Sequence, residues 1–374
     1  MKKNTGFLLT AVAIGIVVMA FNYRSGNSAY GLTIGTPDVK SITSLAFGPE
    51  GILFIGDSKS ATVFAVDTKD KTTVDKAAAI DLKGVDQKIA SILGTTPDKI
   101  TIQDMAVNPL SKKIYVAVQY SDGTPVLLTI EGEKIQAVSL KDVAFSSIAL
   151  NNPPAEDAKD QRGRSLRVST ISDLAYADGN VMVSGLSNQE FSSTFRSMTF
   201  PFTNKQDAAS LEIYHAAHGQ YETASPIKTF TTATINNKKY LIASYTCTPL
   251  VLFPLDELKP GTHVKGRTVA EMGSGNQPLD MITMNTNGKS FLIMANSNRP
   301  VFRVNFKNIE AFQGSLSTPV EENFATEGVA FVNMPLTNVL QLDKMDDNRM
   351  VLLQRKANGS LDLWTTDNAQ WLLQ

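Results

Sequence analysis

Short apolar runs recur along the whole chain, some alternating with polar residues and some continuous, and clusters of Gly, Pro, Asn, Asp and Ser separate them. Runs of this length with period-2 alternation predict β-strands, and the punctuation between them predicts tight turns. One phrase keeps returning: S-I-T-S-L-A-F at Ser41 to Phe47, T-I-Q-D-M-A-V at Thr101 to Val107, T-I-S-D-L-A-Y at Thr170 to Tyr176, and Q-P-L-D-M-I-T at Gln277 to Thr283. After each copy come a short apolar strand, a small polar loop and another strand. Degenerate repeats of one small sheet cannot bury both faces alone. Stacked around an axis they can, so the pattern predicts an all-β chain folded as a single β-propeller.

Six blades are expected, opening near Ser41, Ile102, Ile171, Thr229, Leu279 and Asn338. The extra material in 299–340 keeps a seven-bladed count open. The last blade runs out of chain near Trp371 and lacks an outer strand. The segment Ala29 to Thr36, A-Y-G-L-T-I-G-T, has strand character and is expected to supply that strand, closing the ring and removing a free edge. Two stretches break the rhythm. Val85 to Leu93 has helical spacing of apolar residues and stops at Gly94. Lys141 to Arg167, with its N-N-P-P-A-E-D-A-K-D-Q-R-G-R run, reads as a polar surface loop or lid.

The first blade, L-A-F-G-P-E-G-I-L-F-I-G-D-S, resembles bacterial exported propellers of the NHL-repeat and YVTN-repeat kind. The other blades match them only in rhythm. The resemblance implies a ring fold and no particular activity, since those families include binding proteins, scaffolds and hydrolases.

The N-terminus moves the expected address outside the cytoplasm. Lys2 and Lys3 form a basic start, and Phe7 to Phe21 is an uncharged apolar run of signal-peptide length, short for a membrane span. Val18-Met19-Ala20 and Asn27-Ser28-Ala29 are candidate cleavage sites. Residues 1–28 therefore read as a signal peptide or an N-terminal membrane anchor, and 29–374 as the propeller. The expected location is periplasmic or secreted, or anchored to the membrane by residues 7–21. With one cysteine, Cys247, the chain forms no internal disulfide. A net charge of -1 gives no reason to expect nucleic acid as a partner.

Two constellations carry candidate chemistry. Aligning the repeats puts Ser44, Asp104, Asp173, Thr232, Asp280 and Gln341 at equivalent positions, each opening an innermost strand at the channel mouth. Asp104, Asp173 and Asp280 would repel one another there. Either they hold a hard cation such as calcium, with Asn276 or Asn296 helping, or each latches backbone N–H groups of the blades. The second constellation is His215, His218 and Glu222 in H-A-A-H-G-Q-Y-E, with Cys247 in the S-Y-T-C-T-P loop of the next blade. Imidazole with thiolate suits zinc or copper. Residues i and i+3 point to opposite faces of a strand, so the two His converge only if the chain turns, and Gly219 permits that. Met272, Met281 or Met294 could add a soft ligand. The alternative has one His capping a turn, the other packing, and Cys247 buried as a small apolar residue.

Glu190 and Arg196, in N-Q-E-F-S-S-T-F-R, join Glu222 as candidate ligand-binding residues. Arg162, Arg164 and Arg167 form either an anion clamp or a solvated charged loop. Neither a nucleotide fingerprint nor a covalent haem motif is present. The expected function is a cell-envelope binding module for a small ligand or an envelope protein. Its working face comprises 84–101, 141–170, 186–196, 215–228, 245–249 and 271–278. A metal-dependent hydrolase or lactonase on the channel carboxylates, and a copper- or zinc-handling protein, stand as alternatives. Catalytic residues are not identifiable from the sequence.

Overall fold

The computed structural model describes residues 30–366; the expected signal or anchor segment and Trp371 lie outside the described residues. Six sheets of four to six strands, antiparallel apart from the pairing of His263–Lys265 with Asp207–His215, stand around one axis, a six-bladed β-propeller. The middle strands explain why the chain folds this way. Ile52–Asp57 is buried along its whole length, and Ile114–Tyr120 and Leu241 to Ser244 are nearly so, because both faces of each sheet pack against neighbouring blades. Continuous apolar runs mark such doubly covered strands, while the half-buried outer strands alternate.

Six apolar clusters fill the six seams between blades and fix their order. The first blade in sequence packs on the third through Phe54, Val183 and Phe200, and on the second through Leu53, Tyr115 and Leu127. The second packs on the sixth through Val116 and Leu353. The third, fourth, fifth and sixth then follow in sequence order. Around the axis the order is therefore first, third, fourth, fifth, sixth, second.

This order departs from simple succession because the second blade is an insertion within the first. The strands Ser44–Phe47, Ile52–Asp57 and Thr62–Asp67 build most of the first blade. The chain then leaves, forms Asp81–Leu82, the helix Val85–Ile92 and the whole second blade, and returns with Val143–Ala149 to pair with Thr62–Asp67. The front part of the expected 141–167 loop is thus a blade strand; 150–167 remains irregular.

Ring closure also differs from the sequence expectation. Thr33–Gly35 pairs with Val143–Ala149 on the outer edge of the first blade. The sixth blade takes its fourth strand from Asp81–Leu82, with Leu363 opposite Leu82. The short A-Y-G-L-T-I-G-T segment had the right propensity, but D-L is too short to be seen by periodicity. The expected helix forms at Val85–Ile92, with Val85 and Ile89 buried and Gly94 at φ 68°. The extra material in 299–340 makes no seventh blade. It forms the helix Phe306–Ala311 and lends the short strands Glu327–Gly328 to the fourth blade and Val332–Asn333 to the fifth. No described helix is long and apolar enough to cross a membrane.

Candidate functional site

Asp104, Asp173 and Asp280 do converge on the axis, and Asp343 joins them. Each carboxylate bridges two backbones. One oxygen accepts the N–H of the next residue in its own strand, and the other accepts an N–H from the adjacent blade. The cross-seam partners are Leu45 for Asp104 (2.6 Å), Phe230 for Asp173 (2.8 Å), Leu342 for Asp280 (2.9 Å) and Val107 for Asp343 (2.7 Å). The Ser44 hydroxyl reaches Asp173 at 3.4 Å, and Thr231 faces Thr283 at 3.3 Å, so every seam has a polar tie near the axis. This is the geometry of a latch; a cation would have to share oxygens already spent on N–H donors.

The ring sits at a constriction rather than at a mouth. On one side lies a space of about 70 Å³, lined by Ser44, Gln103, Lys228 and Gln341. On the other a cavity of about 710 Å³ opens past Phe47, Lys112, Tyr176 and Met345. The three expected carboxylates line both. Burial and mutual repulsion push Asp104 up to about 8 and Asp280 well above the usual range; burial brings Asp173 and Asp343 to about 6. Thr229, which lines the narrow space, takes the position expected for Thr232. Asn276 and Asn296 bond to each other at 3.0 Å.

The second constellation lies at the seam of the third and fourth blades. Asp207–His215 is the fourth strand of the third blade and ends at His215. A 3-10 turn follows over Ala216–His218, Gly219 takes φ 62°, and Gln220–Glu222 returns to pair with the strand just left. That turn brings His218 back over His215, with ring centroids 3.8 Å apart. Cys247 comes from the loop joining the two middle strands of the fourth blade. The ligand atoms of His215, His218 and Cys247 all lie within 4.8 Å of one another.

Three features set this cluster apart from ordinary packing. His215 is 1% exposed, and among the described residues neither ring nitrogen has a hydrogen-bond partner. Glu222 Oε1 lies 3.1 Å from its Nδ1 but out of line for a hydrogen bond, and Glu271 is 3.9 Å from its Nε2. Cys247 has φ 67°, followed by Thr248 at φ 57°. The turn closes with Thr248 N–H donating to Tyr245 at 2.9 Å, which makes Cys247 its third residue, a place that ordinarily goes to Gly or Asn when φ is positive. Cys247 N–H is held by the Asn276 carbonyl at 2.8 Å. The conformation is costly for a non-glycine residue, and the bonds at Thr248 and Asn276 hold it in place.

Glu222 lies against both imidazoles. Its Oε1 is 2.6 Å from His218 Nδ1, and its Oε2 accepts the Ser225 hydroxyl at 2.6 Å. Burial pushes its carboxyl up, but the His215, His218 and Ser225 contacts outweigh that and hold it well below the usual range. Glu271, absent from the sequence reading, is fully buried beside His215 and raised to about 7 by burial. Its signal was a lone acid closing the apolar strand R-T-V-A-E.

The remaining candidates fall elsewhere. Met272, Met281 and Met294 pack in the core between the fourth and fifth blades. Glu190 is exposed on the 187–192 loop. Arg196 is 1% exposed, donating to the Leu186 carbonyl at 3.2 Å and weakly to that of Asn151 at 3.4 Å. Arg164 pairs with Asp160 within the loop, and Arg167 donates to the Pro154 carbonyl of the loop and to the Ser58 carbonyl of the first blade.

No family model matches the sequence, and no curated protein matches it. Three solved structures illustrate the distant likenesses found. A chain of the mitotic checkpoint complex is 9% identical, with 97% of this chain and 99% of that chain covered and a TM-score of 0.36. A putative oxidoreductase (glucose dehydrogenase) of Thermus thermophilus is 9% identical over 90% and 100%, with a TM-score of 0.35. The Cps50 (Swd1) β-propeller domain of Myceliophthora thermophila is 10% identical over 86% and 82%, with a TM-score of 0.37.

Proposed function

We propose that this chain is a metal-holding binding module of the cell envelope, with its working part at the seam of the third and fourth blades. His215 carries the reading. A buried imidazole with no hydrogen-bond partner costs about 1–3 kcal/mol, and a bound ion would offset that cost. The ion would be held by His215, His218 and Cys247, one soft thiolate and two borderline imidazoles, a donor set for zinc or copper rather than calcium. The propeller supplies rigidity: the ligands come from a strand end and a pinned turn, not from long loops. Lys2, Lys3 and the Phe7 to Phe21 run support a place outside the cytoplasm, as does the first blade's resemblance to exported NHL-repeat and YVTN-repeat propellers.

Elemental mass spectrometry on untagged protein, purified without added metal, tests the reading. About one transition-metal ion per chain is expected, and His215→Ala should abolish it. Metal-free native protein that also takes up no zinc or copper on reconstitution would end it.

A further inference from the structure

The geometry at this seam distinguishes between the two metals and gives Glu222 a task. Resting on the metal reading above, we infer that the ion is copper(I), held in a three-coordinate plane by Cys247, His215 and His218, and that Glu222 positions the His218 imidazole without binding the ion.

The donor count comes first. A structural zinc site takes four protein ligands, and a catalytic one takes three plus water. Among the described residues the converging group is limited to two His and one Cys. Two His with one Cys in a trigonal array is a copper arrangement, and thiolate softness favours the reduced ion. Met272 and Met294 pack into the core between the fourth and fifth blades, and Met272 meets the Cys247 turn through its backbone, its N–H donating to the Thr248 carbonyl at 3.1 Å. Glu271 is outside the converging group as well: its Oε1 accepts the Ala217 N–H at 3.2 Å, and its Oε2, though without a partner among the described residues, does not join the three ligand atoms. On binding, the thiol exchanges its proton for the ion, and the proton leaves to solvent.

Glu222 is outside the converging group. It sits at Nδ1 of both rings, 2.6 Å from His218 and 3.1 Å from His215. A carboxylate hydrogen-bonded to one imidazole nitrogen fixes the tautomer and turns the other nitrogen to the metal, and Glu222 is so bonded to His218, while at His215 it is close but out of line. The Ser225 hydroxyl locks the far oxygen. His215 forms the buried wall and His218, whose side chain is 41% exposed, the open one, so an ion or a small copper donor has a way in.

The test uses untagged protein stripped by chelator and titrated without oxygen, with copper(I) against a chromophoric chelator and with zinc(II) in parallel. One copper(I) per chain is expected, with Cys247→Ser, which removes the soft ligand itself, weakening it by more than the roughly 10- to 100-fold typical of losing an outer partner. Zinc uptake at one equivalent, with copper(I) no tighter in the native protein than in Cys247→Ser, would overturn the copper assignment while keeping the metal reading. Uptake of neither ion would overturn both. Glu222→Ala should lower copper affinity about 10- to 100-fold, and Glu222→Gln, which keeps an acceptor oxygen, should restore most of it. Equal affinity in Ala and Gln variants whose metal-free melting matches the native protein would remove Glu222 from the positioning role.

Discussion

Asp343 and Val107 are 236 residues apart, yet the Asp343 carboxylate accepts the Val107 N–H at 2.7 Å. The bond crosses the seam between the sixth and second blades, where the end of the propeller meets the blade inserted early in the chain. Its second oxygen takes the Lys344 N–H at 2.6 Å. Removing the carboxylate leaves two strand N–H groups without an acceptor. Asp343→Ala should therefore destabilise the protein by about 1–3 kcal/mol. Urea unfolding at pH 5 measures this most cleanly, since the ring carries least charge there. A loss within error of zero would mean that channel water replaces the latch.

The closure of the ring gives a paired prediction. Leu82 is 2% exposed and packs between the sixth and second blades, whereas Ile34 on the N-terminal strand is 70% exposed. Leu82→Ala should cost about 2–5 kcal/mol, as a core truncation does. Ile34→Ala should stay within about 0.5 kcal/mol, as an exposed change does. Thermal melts of the two variants settle which strand closes the propeller. The reverse ranking would contradict the topology.

What the sequence could and could not show follows from range. Inner and middle strands were legible because their own residues alternate or run apolar, and the Asp of T-I-Q-D-M-A and T-I-S-D-L-A marked the axis. Asp343 escaped because it lies two residues past Gln341, on the same strand face but out of phase with the phrase. Blade order was invisible: it depends on where Val143–Ala149 pairs, and pairing partners leave no trace in one strand's periodicity. At the metal seam, the residue types and the turn at Gly219 were readable. The left-handed Cys247 and the buried Glu271 were not, since the first depends on the Asn276 segment ahead of it and the second on His215 of the blade before.

The axial ring makes stability depend on pH. The folded-state pKa values lie above those of the unfolded chain, with Asp173 and Asp343 at about 6 and Asp104 at about 8. The folded protein thus keeps protons that the unfolded chain has lost, so stability falls as pH rises from about 4 to about 8. Each such proton contributes a slope of at most about 1.4 kcal/mol per pH unit, less here because the sites interact and touch channel water. Asp104→Asn removes one titrating group and should flatten the profile between pH 6 and 8. Urea midpoints across that range are the readout. A native profile that rises through the window would refute the sign.

Arg196 supplies a prediction that runs against the usual penalty for changing a buried residue. Its guanidinium is enclosed, Nη1 has no partner among the described residues, and burial lowers its pKa to about 10. Its contacts through Nη2 are two carbonyls at 3.2 and 3.4 Å, long for a charged donor. An enclosed charge without a carboxylate keeps its desolvation cost, and apolar replacements of similar volume are often neutral or stabilising. Arg196→Met should then change stability by no more than about 1 kcal/mol, while Arg196→Ala, which also opens a cavity, should lose about 2–5 kcal/mol. Comparing the two separates charge from volume. If Met proved as damaging as Ala, the guanidinium's hydrogen bonds to Leu186 and Asn151 would be what holds the 150–167 loop against the third blade, and Arg196 would have to be counted as structural support for that face.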